Sequence, residues 1–152
     1  MRIKKSVQQI MRIYKTRDPF EIARLKHILI VFEDLGTING YYKKAYRQKQ
    51  IHINQNLPRH RQRFVCAHEL GHAILHPNSN TPFLRGNTFF LVDKLEIEAN
   101  TFALELLISD EELAQYKNFN TEQIARIYGY HQKLIELRLK SFEARKPKEI
   151  NS

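Results

Sequence analysis

The sequence has few of the residues that crosslink a chain or interrupt its regular elements. Its 152 residues include one cysteine, no tryptophan, five glycines and five prolines. The single thiol, Cys66, excludes an internal disulfide, which fits a reducing compartment. No apolar run approaches the length that crosses a bilayer, and the first residues lack the hydrophobic segment of a signal peptide. We therefore expect a cytoplasmic protein without a membrane partner.

What is present is the composition of a globular protein. Hydrophobic residues make up 42% of the chain and charged residues 27%, and this length supports one domain with a real core. We expect the domain to span residues 1–144 and a disordered tail to follow at 145–152. The net charge is +9, but the basic residues are spread over several segments. A solvated basic surface is therefore favoured over direct binding of nucleic acid.

Hydrophobic periodicity predicts helices on both sides of a small group of strands. The predicted helices cover Ile3–Tyr14, Pro19 to about His27 with Asp18 as N-cap, Arg59–His76, Val92–Leu107 and a short segment after the N-cap Ser109, and the predicted strands cover Ile28–Phe32, Gly40–Tyr46 and Lys49–Asn54. In the last strand His52 alternates with two isoleucines, so we expect its side chain at the surface. The predicted fold class is α/β (α+β), with a short, mostly antiparallel sheet against the third helix and a helical C-terminal part.

The third predicted helix contains the most informative motif, His-Glu-Leu-Gly-His at residues 68–72. Histidines four residues apart project from the same side of a helix and can share one ion, which is usually zinc. His68 and His72 fall inside the apolar arc of the helix, where burial of an imidazole costs free energy unless it finds a partner. A shared metal ion satisfies both rings; two separate core hydrogen bonds are the alternative. Glu69 is placed to act as a base on metal-bound water.

A catalytic zinc site of this type needs a third protein ligand. His76 continues the four-residue spacing, but it lies about 12 Å along the helix axis from His68. That distance excludes it as a ligand to the same ion on an unbroken helix. We interpret His76 as a helix-end residue favoured by the helix dipole, with Pro77 stopping the helix.

The third ligand is expected in the helix Val92–Leu107. Glu96 lies at the centre of its apolar stripe, where a carboxylate is costly unless it is paired or bound to metal. Glu98 and Glu105 are predicted to point the opposite way, toward solvent, so Glu96 is preferred. Asn100 follows one turn later on the same face as Glu96. We expect its side chain to hydrogen-bond the outer nitrogen of one of the two ligand histidines.

Two segments of the chain resemble the ImmA/IrrE family of zinc metallopeptidases. Ala67–His76 reads A-H-E-L-G-H-A-I-L-H, and Leu95–Leu107 reads L-E-I-E-A-N-T-F-A-L-E-L-L. The resemblance extends over roughly Asp18–Lys140 and is most specific in these two segments. The chain departs from the family at residues 108–109, where it has Ile-Ser and many members have Met-Pro. This difference affects a helix end rather than the metal site.

The resemblance implies a site, a reaction and a substrate. It implies a zincin-like, gluzincin-like domain with one zinc ion held by His68, His72 and Glu96, and with Glu69 as the catalytic residue. Members encoded by phages and integrative elements inactivate a helix-turn-helix repressor. The implied function is therefore zinc-dependent cleavage of such a repressor, which relieves repression of the element. The alternatives are a non-catalytic antirepressor that only binds the repressor, and a DNA-binding regulator.

Residues 121–139 resemble a helix-turn-helix, with Ala125 in the first helix and Gly129 at the turn. A recognition helix offers polar groups to base edges. The second helix here is instead apolar, with Leu134, Ile135, Leu137 and Leu139. A helical hairpin that completes the fold, or that holds the repressor, is therefore favoured over DNA binding.

The sequence leaves alternatives for two parts of the active site. The polar candidates for stabilising the tetrahedral oxyanion are Tyr128, Tyr130 and His131. The irregular segment Pro77–Phe90 is expected to form a flap or a substrate-contact loop. Its three phenylalanines, Phe83, Phe89 and Phe90, either line an apolar substrate pocket or pack over the core.

Overall fold

A computed structural model describes residues 2–78, 84–85 and 94–143. Within these ranges the elements are, in chain order, α1 (Arg2–Tyr14), α2 (Pro19–Leu25), β1 (Leu29–Glu33), β2 (Ile38–Ala45), β3 (Gln48–Asn54), α3 (Arg59–Leu75), β4 (Leu84–Arg85), α4 (Lys94–Leu107), α5 (Asp110–Gln115), α6 (Thr121–Tyr128) and α7 (Gln132–Glu143). The α/β (α+β) class is confirmed, with the arrangement expected of a zincin-like domain. In the same ranges, no helix combines the length and apolar character that membrane crossing requires.

Two expectations fall outside these ranges. The tail at 145–152 is not among the described residues. Neither are Phe83, Phe89 and Phe90, or most of the segment expected to form a flap. These expectations stay predictions.

The described strands form one sheet in the order β1-β3-β2-β4. β1 pairs with β3 in parallel, whereas β2 pairs antiparallel with β3 on one side and with β4 on the other. The expectation of a mostly antiparallel sheet is thus confirmed. β2 and β3 form a tight hairpin whose two loop residues, Tyr46 and Arg47, both have positive φ. That is the geometry of a type I′ turn, which matches the twist of the flanking strands.

Side-chain caps explain where two of the helices begin. The Asp18 carboxylate accepts a hydrogen bond from the amide of Phe20, and Pro19 occupies the first turn of α2. The Ser109 hydroxyl accepts one from the amide of Glu112 in α5. Both satisfy amides that have no partner inside the helix. The predicted starts of these helices are confirmed.

Gly40 of β2 lets helix α3 lie close against the sheet. A Cβ atom at this position would lie 2.5 Å from Val65 Cγ1 and 2.6 Å from the carbonyl oxygen of His52. Both separations are far below van der Waals contact, and the carbonyl belongs to the backbone of β3, so it cannot rotate away. The core between the sheet and the helix is completed by fully buried side chains, among them Tyr42, Ile51, Ile53 and Leu70.

We expect Gly40→Ala to destabilise the protein by about 1–3 kcal/mol, because the added methyl overpacks the sheet–helix interface. Urea denaturation followed by circular dichroism measures the free energy of unfolding. Surface substitutions usually change this quantity by less than about 0.5 kcal/mol. A loss no larger than that would show that the interface at Gly40 can relax.

Helix α4 is covered on both sides, and this corrects one prediction. One face packs on α3, whereas other parts of the helix contact α1 and α7. The prediction that Glu105 points to solvent is wrong: its side chain is 4% exposed and lies 3.7 Å from Arg138 Nη1. Glu98 is also mostly covered and pairs with Arg2 of α1. The covering helices are remote in sequence, so the helical pattern of α4 alone does not reveal them.

Two arginines from remote segments hold the carboxyl end of α4. Arg17 Nη1 donates to the carbonyls of Glu105 and Leu106, both at 3.0 Å. Arg138 donates to the Ile108 carbonyl from Nε at 3.0 Å and from Nη2 at 2.9 Å. The last carbonyls of a helix have no partner within it, and here cationic donors take that place. Arg17 lies between α1 and α2, whereas Arg138 lies in α7. Segments near both ends of the described chain therefore contact the carboxyl end of α4.

The surface placement predicted for His52 is also wrong. Its side chain is buried, with Nδ1 2.8 Å from Glu33 Oε1 and Nε2 3.0 Å from Gln50 Oε1. Its ring stacks on Tyr41 at 4.5 Å between centroids. β3 lies between β1 and β2, so cross-strand neighbours on both sides cover a residue that strand alternation alone assigns to solvent.

Helices α6 and α7 form the predicted hairpin. Asn120 and Gln123 make a reciprocal capping box at its start, and Gly129 ends α6 with a φ of 72°. Leu134 and Ile135 of α7 are buried in the core. This burial supports the interpretation of the hairpin as part of the fold.

Candidate metal centre

The crossing of α3 and α4 brings the predicted site residues together. Gly71 makes the close crossing possible, since a Cβ there would lie 3.0 Å from Phe102 Cδ1 of α4. α3 contributes His68, Glu69 and His72, and α4 contributes Glu96 and Asn100. All five of these side chains are buried. The two helices therefore place the whole candidate site inside the protein rather than on its surface.

The Glu96 carboxylate lies between the two histidines. Its Oε2 is 2.9 Å from His68 Nε2, and its Oε1 is 2.9 Å from His72 Nε2. Burial alone would raise the pKa of Glu96, but the contacts with both imidazoles outweigh it and lower the pKa to about 2. The carboxylate is therefore ionised at neutral pH. The two carboxylate oxygens of Glu96 thus contact the Nε2 atoms of both imidazoles.

Asn100 fixes the tautomer of His68. Its Oδ1 lies 2.7 Å from His68 Nδ1 and can only accept a hydrogen bond, so Nδ1 carries the proton. In the neutral ring the lone pair is then on Nε2, where it faces the Glu96 carboxylate at 2.9 Å. Two acceptors at that distance repel each other unless a cation, or a second proton on the ring, lies between them. Asn100 thus has the contact predicted for it.

The Nδ1 contact of His72 does not fix its tautomer, because His76 Nδ1 can either donate or accept a hydrogen bond. His72 Nε2 is close to Glu96 Oε1, but the two atoms are not aligned as donor and acceptor. A divalent cation among the two nitrogens and the carboxylate resolves both contacts at once. Two imidazoles and one carboxylate are a donor set that zinc accepts in catalytic sites. The residues present therefore fit a zinc ion.

Glu69 lies close to the same two histidines. One ligand atom from each of His68, Glu69 and His72 lies within 4.8 Å of the others. Glu69 Oε1 is 3.9 Å from His68 Nε2, clearly farther than the Glu96 oxygen at 2.9 Å. Its side chain is fully buried. This position suits a group that reaches an open coordination position and does not occupy one of the protein-ligand positions.

A second set of residues behind His72 was missed at the level of sequence. His76 caps α3, and its Nδ1 lies 3.2 Å from His72 Nδ1, on the side away from Glu96. His76 Nε2 is 3.7 Å from Glu98 Oε1, and Glu98 pairs with Arg2. Burial and the neighbouring His72 lower the pKa of His76, against the opposing effect of Glu98. The predicted place of His76 at the end of the helix is confirmed. Its contact with His72 was not predicted, although the four-residue spacing was an available signal.

The oxyanion candidates differ in their surroundings. The Tyr128 hydroxyl donates to Glu112 Oε2 at 2.6 Å, and His131 Nδ1 accepts the amide of Lys133. The Tyr130 ring packs on Phe64 at 5.2 Å, and Phe64 in turn lies 6.3 Å from the ring of His68. Burial raises the pKa of Tyr130 to about 12, so its hydroxyl keeps its proton at neutral pH. Tyr130 is thus connected to His68 through the ring of Phe64.

Comparison with known proteins gives three matches. The family model for the IrrE N-terminal-like domain, designated peptidase M78, matches residues 23–140 and so includes both site helices. "Uncharacterized immunity region protein 2" of Bacillus phage phi105 is 47% identical over 139 residues, which cover 90% of this chain and 88% of the phage protein. "Metallopeptidase ImmA" of Bacillus subtilis (strain 168) is 41% identical over 133 residues, which cover 84% of this chain and 78% of that protein.

Proposed function

The chain belongs to the ImmA/IrrE family of metallopeptidases, and from that premise we propose that it is a zinc-dependent endopeptidase that cleaves a helix-turn-helix repressor. Cleavage relieves repression of a phage or mobile element. The observation that carries the peptidase part is the contact of Glu96 with both His68 and His72, with Glu69 buried close to them. We assign one zinc ion per chain to His68, His72 and Glu96.

Each side chain of the site has a definite task in this proposal. His68 and His72 would hold the zinc ion through Nε2, and Glu96 would hold it through its carboxylate. Zinc, when bound, is a Lewis acid that lowers the pKa of a water molecule and polarises a carbonyl group. Glu69 accepts the proton of the attacking water and passes it to the leaving amine. Asn100 holds His68 in the tautomer that leaves Nε2 free for the metal.

Tyr130 is our candidate for donating a hydrogen bond to the developing oxyanion. Its ring contact with Phe64, which lies against His68, connects it to the site, and its hydroxyl can donate a hydrogen bond. Tyr128 is already hydrogen-bonded to Glu112.

The choice of a repressor as substrate has two supports. The first is the sequence resemblance, which implies it. The second is the relative from phage phi105, whose name assigns it to an immunity region. The net charge of +9 would raise the rate of encounter with a repressor bound to DNA. The proposal also implies that the protein acts in the cytoplasm, where a bacterial repressor binds DNA.

Incubation of the purified protein with a helix-turn-helix repressor from the same phage or mobile element tests the proposal. We expect discrete repressor fragments, seen by gel electrophoresis and mass spectrometry, in the presence of zinc. A chelator should stop their formation, because the site loses its Lewis acid, and added zinc should restore it. The repressor incubated with zinc alone is the control.

If the repressor is inactivated but stays intact, the protein is a non-catalytic antirepressor. Sequence-selective, salt-dependent DNA binding would instead favour a regulator.

A further inference from the structure

Each of the two site histidines makes a second contact on the side that faces away from Glu96. For His68 that contact is the Oδ1 of Asn100, at 2.7 Å from Nδ1. For His72 it is the Nδ1 of His76, at 3.2 Å from Nδ1. The side chain of His76 is buried. The two contacts differ chemically, because an amide oxygen can only accept a hydrogen bond, whereas an imidazole nitrogen can either donate or accept one.

The metal site determines which way the His72–His76 hydrogen bond runs. If His72 Nε2 presents its lone pair to a cation, the proton of that ring must be on Nδ1. His72 Nδ1 then donates, and His76 Nδ1 accepts with its lone pair. His76 in turn carries its own proton on Nε2, the atom that lies 3.7 Å from Glu98 Oε1. Among the described residues that nitrogen has no hydrogen-bond partner, so the nearby carboxylate is the group that favours a proton there.

We propose that His76 is a positioning residue of the metal centre, which accepts the Nδ1–H of His72 and so holds its Nε2 toward the metal. The inference rests on the proposed metal site. Glu98 of α4 acts behind His76 by favouring the Nε2–H tautomer. Arg2 pairs with Glu98, but its side chain is largely exposed, so its contribution is small. His72 and His68 thus receive equivalent support from different residue types.

The backbone around His76 is held independently of its ring. The His76 amide donates to the His72 carbonyl at 2.7 Å, which any residue would do. The Tyr42 hydroxyl donates to the Pro77 carbonyl at 2.8 Å and fixes the chain just beyond the helix. Substitutions of the His76 side chain therefore test its ring contacts more than the end of the helix.

Replacing His76 by asparagine or by glutamine tests its two ring nitrogens separately. The asparagine amide oxygen can occupy the place of Nδ1 and accept the His72 proton, whereas the glutamine amide extends to the place of Nε2. We expect His76→Ala to raise the zinc dissociation constant about 10–100-fold, the usual effect of removing such a partner. His76→Asn should recover most of the affinity and His76→Gln should not. Competition with a chromophoric chelator measures the dissociation constant.

The absorption spectrum of the cobalt-substituted protein gives a readout that a purely structural role would leave unchanged. We expect its ligand-field bands to change in His76→Ala and to return in His76→Asn. His60→Asn, at an exposed histidine of the same helix, is the matched control and should match the unmodified protein. Thermal unfolding of the metal-free proteins shows which variants retain the fold. If the alanine variant unfolds, the asparagine and glutamine variants alone carry the comparison.

The outcomes distinguish this inference from the proposed metal site. If zinc binds as tightly to His72→Asn as to the unmodified protein, the metal site itself is wrong. If zinc binding requires His72 but all three His76 variants keep full affinity and an unchanged cobalt spectrum, the role of His76 is overturned. Equal losses in the asparagine and glutamine variants would also overturn it, because packing rather than an acceptor at Nδ1 would then explain the effect.

Discussion

Glu69→Gln should slow peptide cleavage about 10²–10⁴-fold while zinc still binds. The amide has nearly the shape of the carboxylate but cannot accept the proton of the attacking water. Glu69 Oε1 lies 3.9 Å from His68 Nε2, outside the contacts that Glu96 makes, so the zinc dissociation constant should change little. Single-turnover kinetics with the repressor and zinc competition measure the two effects separately.

Glu122→Gln is the matched control for this experiment. Glu122 is exposed on α6, where it pairs only with Arg126 of the same helix among the contacts described. Its replacement should leave both cleavage and zinc affinity unchanged. Cleavage by the Glu69→Gln protein at an undiminished rate would remove Glu69 from the mechanism. If the Glu69→Gln protein no longer cleaves the repressor but still relieves repression in cells, binding of the repressor is sufficient for relief.

Arg138→Met should destabilise the protein by about 3–5 kcal/mol, the usual cost of breaking a buried charged pair by removing one partner. Arg138 is 1% exposed. Its guanidinium donates to the Ile108 carbonyl, to Asp110 Oδ1 at 2.6 Å and to Ser141 Oγ at 3.1 Å. Methionine fills a similar volume but supplies none of these donors. Urea denaturation of the metal-free protein measures the free energy of unfolding without a contribution from zinc.

Arg126→Met is the corresponding control at the surface. Its guanidinium is 76% exposed and pairs with Glu122 one helical turn away. Exposed pairs of this kind contribute about 0.3–0.5 kcal/mol. A loss at Arg138 no larger than the loss at Arg126 would show that water replaces the buried contacts when the arginine is removed.

The arrangement of the candidate site could be anticipated because it depends on helical geometry. The four-residue spacing puts His68 and His72 on one side of α3. Glu96 was preferred over Glu98 by the face that it occupies, and in the structure it is Glu96 that lies between the histidines. These arguments use the period of one helix at a time. The role of each side chain in binding metal stays a prediction.

The predictions of side-chain exposure were wrong where burial depends on elements that are remote in sequence. Glu105 is buried because α4 also packs on α7, and His52 is buried because strands pair on both sides of β3. The burial of Arg138 was not anticipated for the same reason. One signal was available for α4: its last turns are almost entirely apolar apart from Glu105. A helix that is apolar all round is buried all round.

The two arginines at the carboxyl end of α4 also set the axial register of this helix against α3. Arg17 and Arg138 pin three carbonyl oxygens at one end, while Glu96 contacts the two histidines near the other. A slip of α4 by a single residue would move Glu96 by about 1.5 Å along the axis. That shift would take its carboxylate out of reach of at least one imidazole. Arg17 and Arg138 do not contact the site, but they thus prevent α4 from shifting along its axis relative to α3.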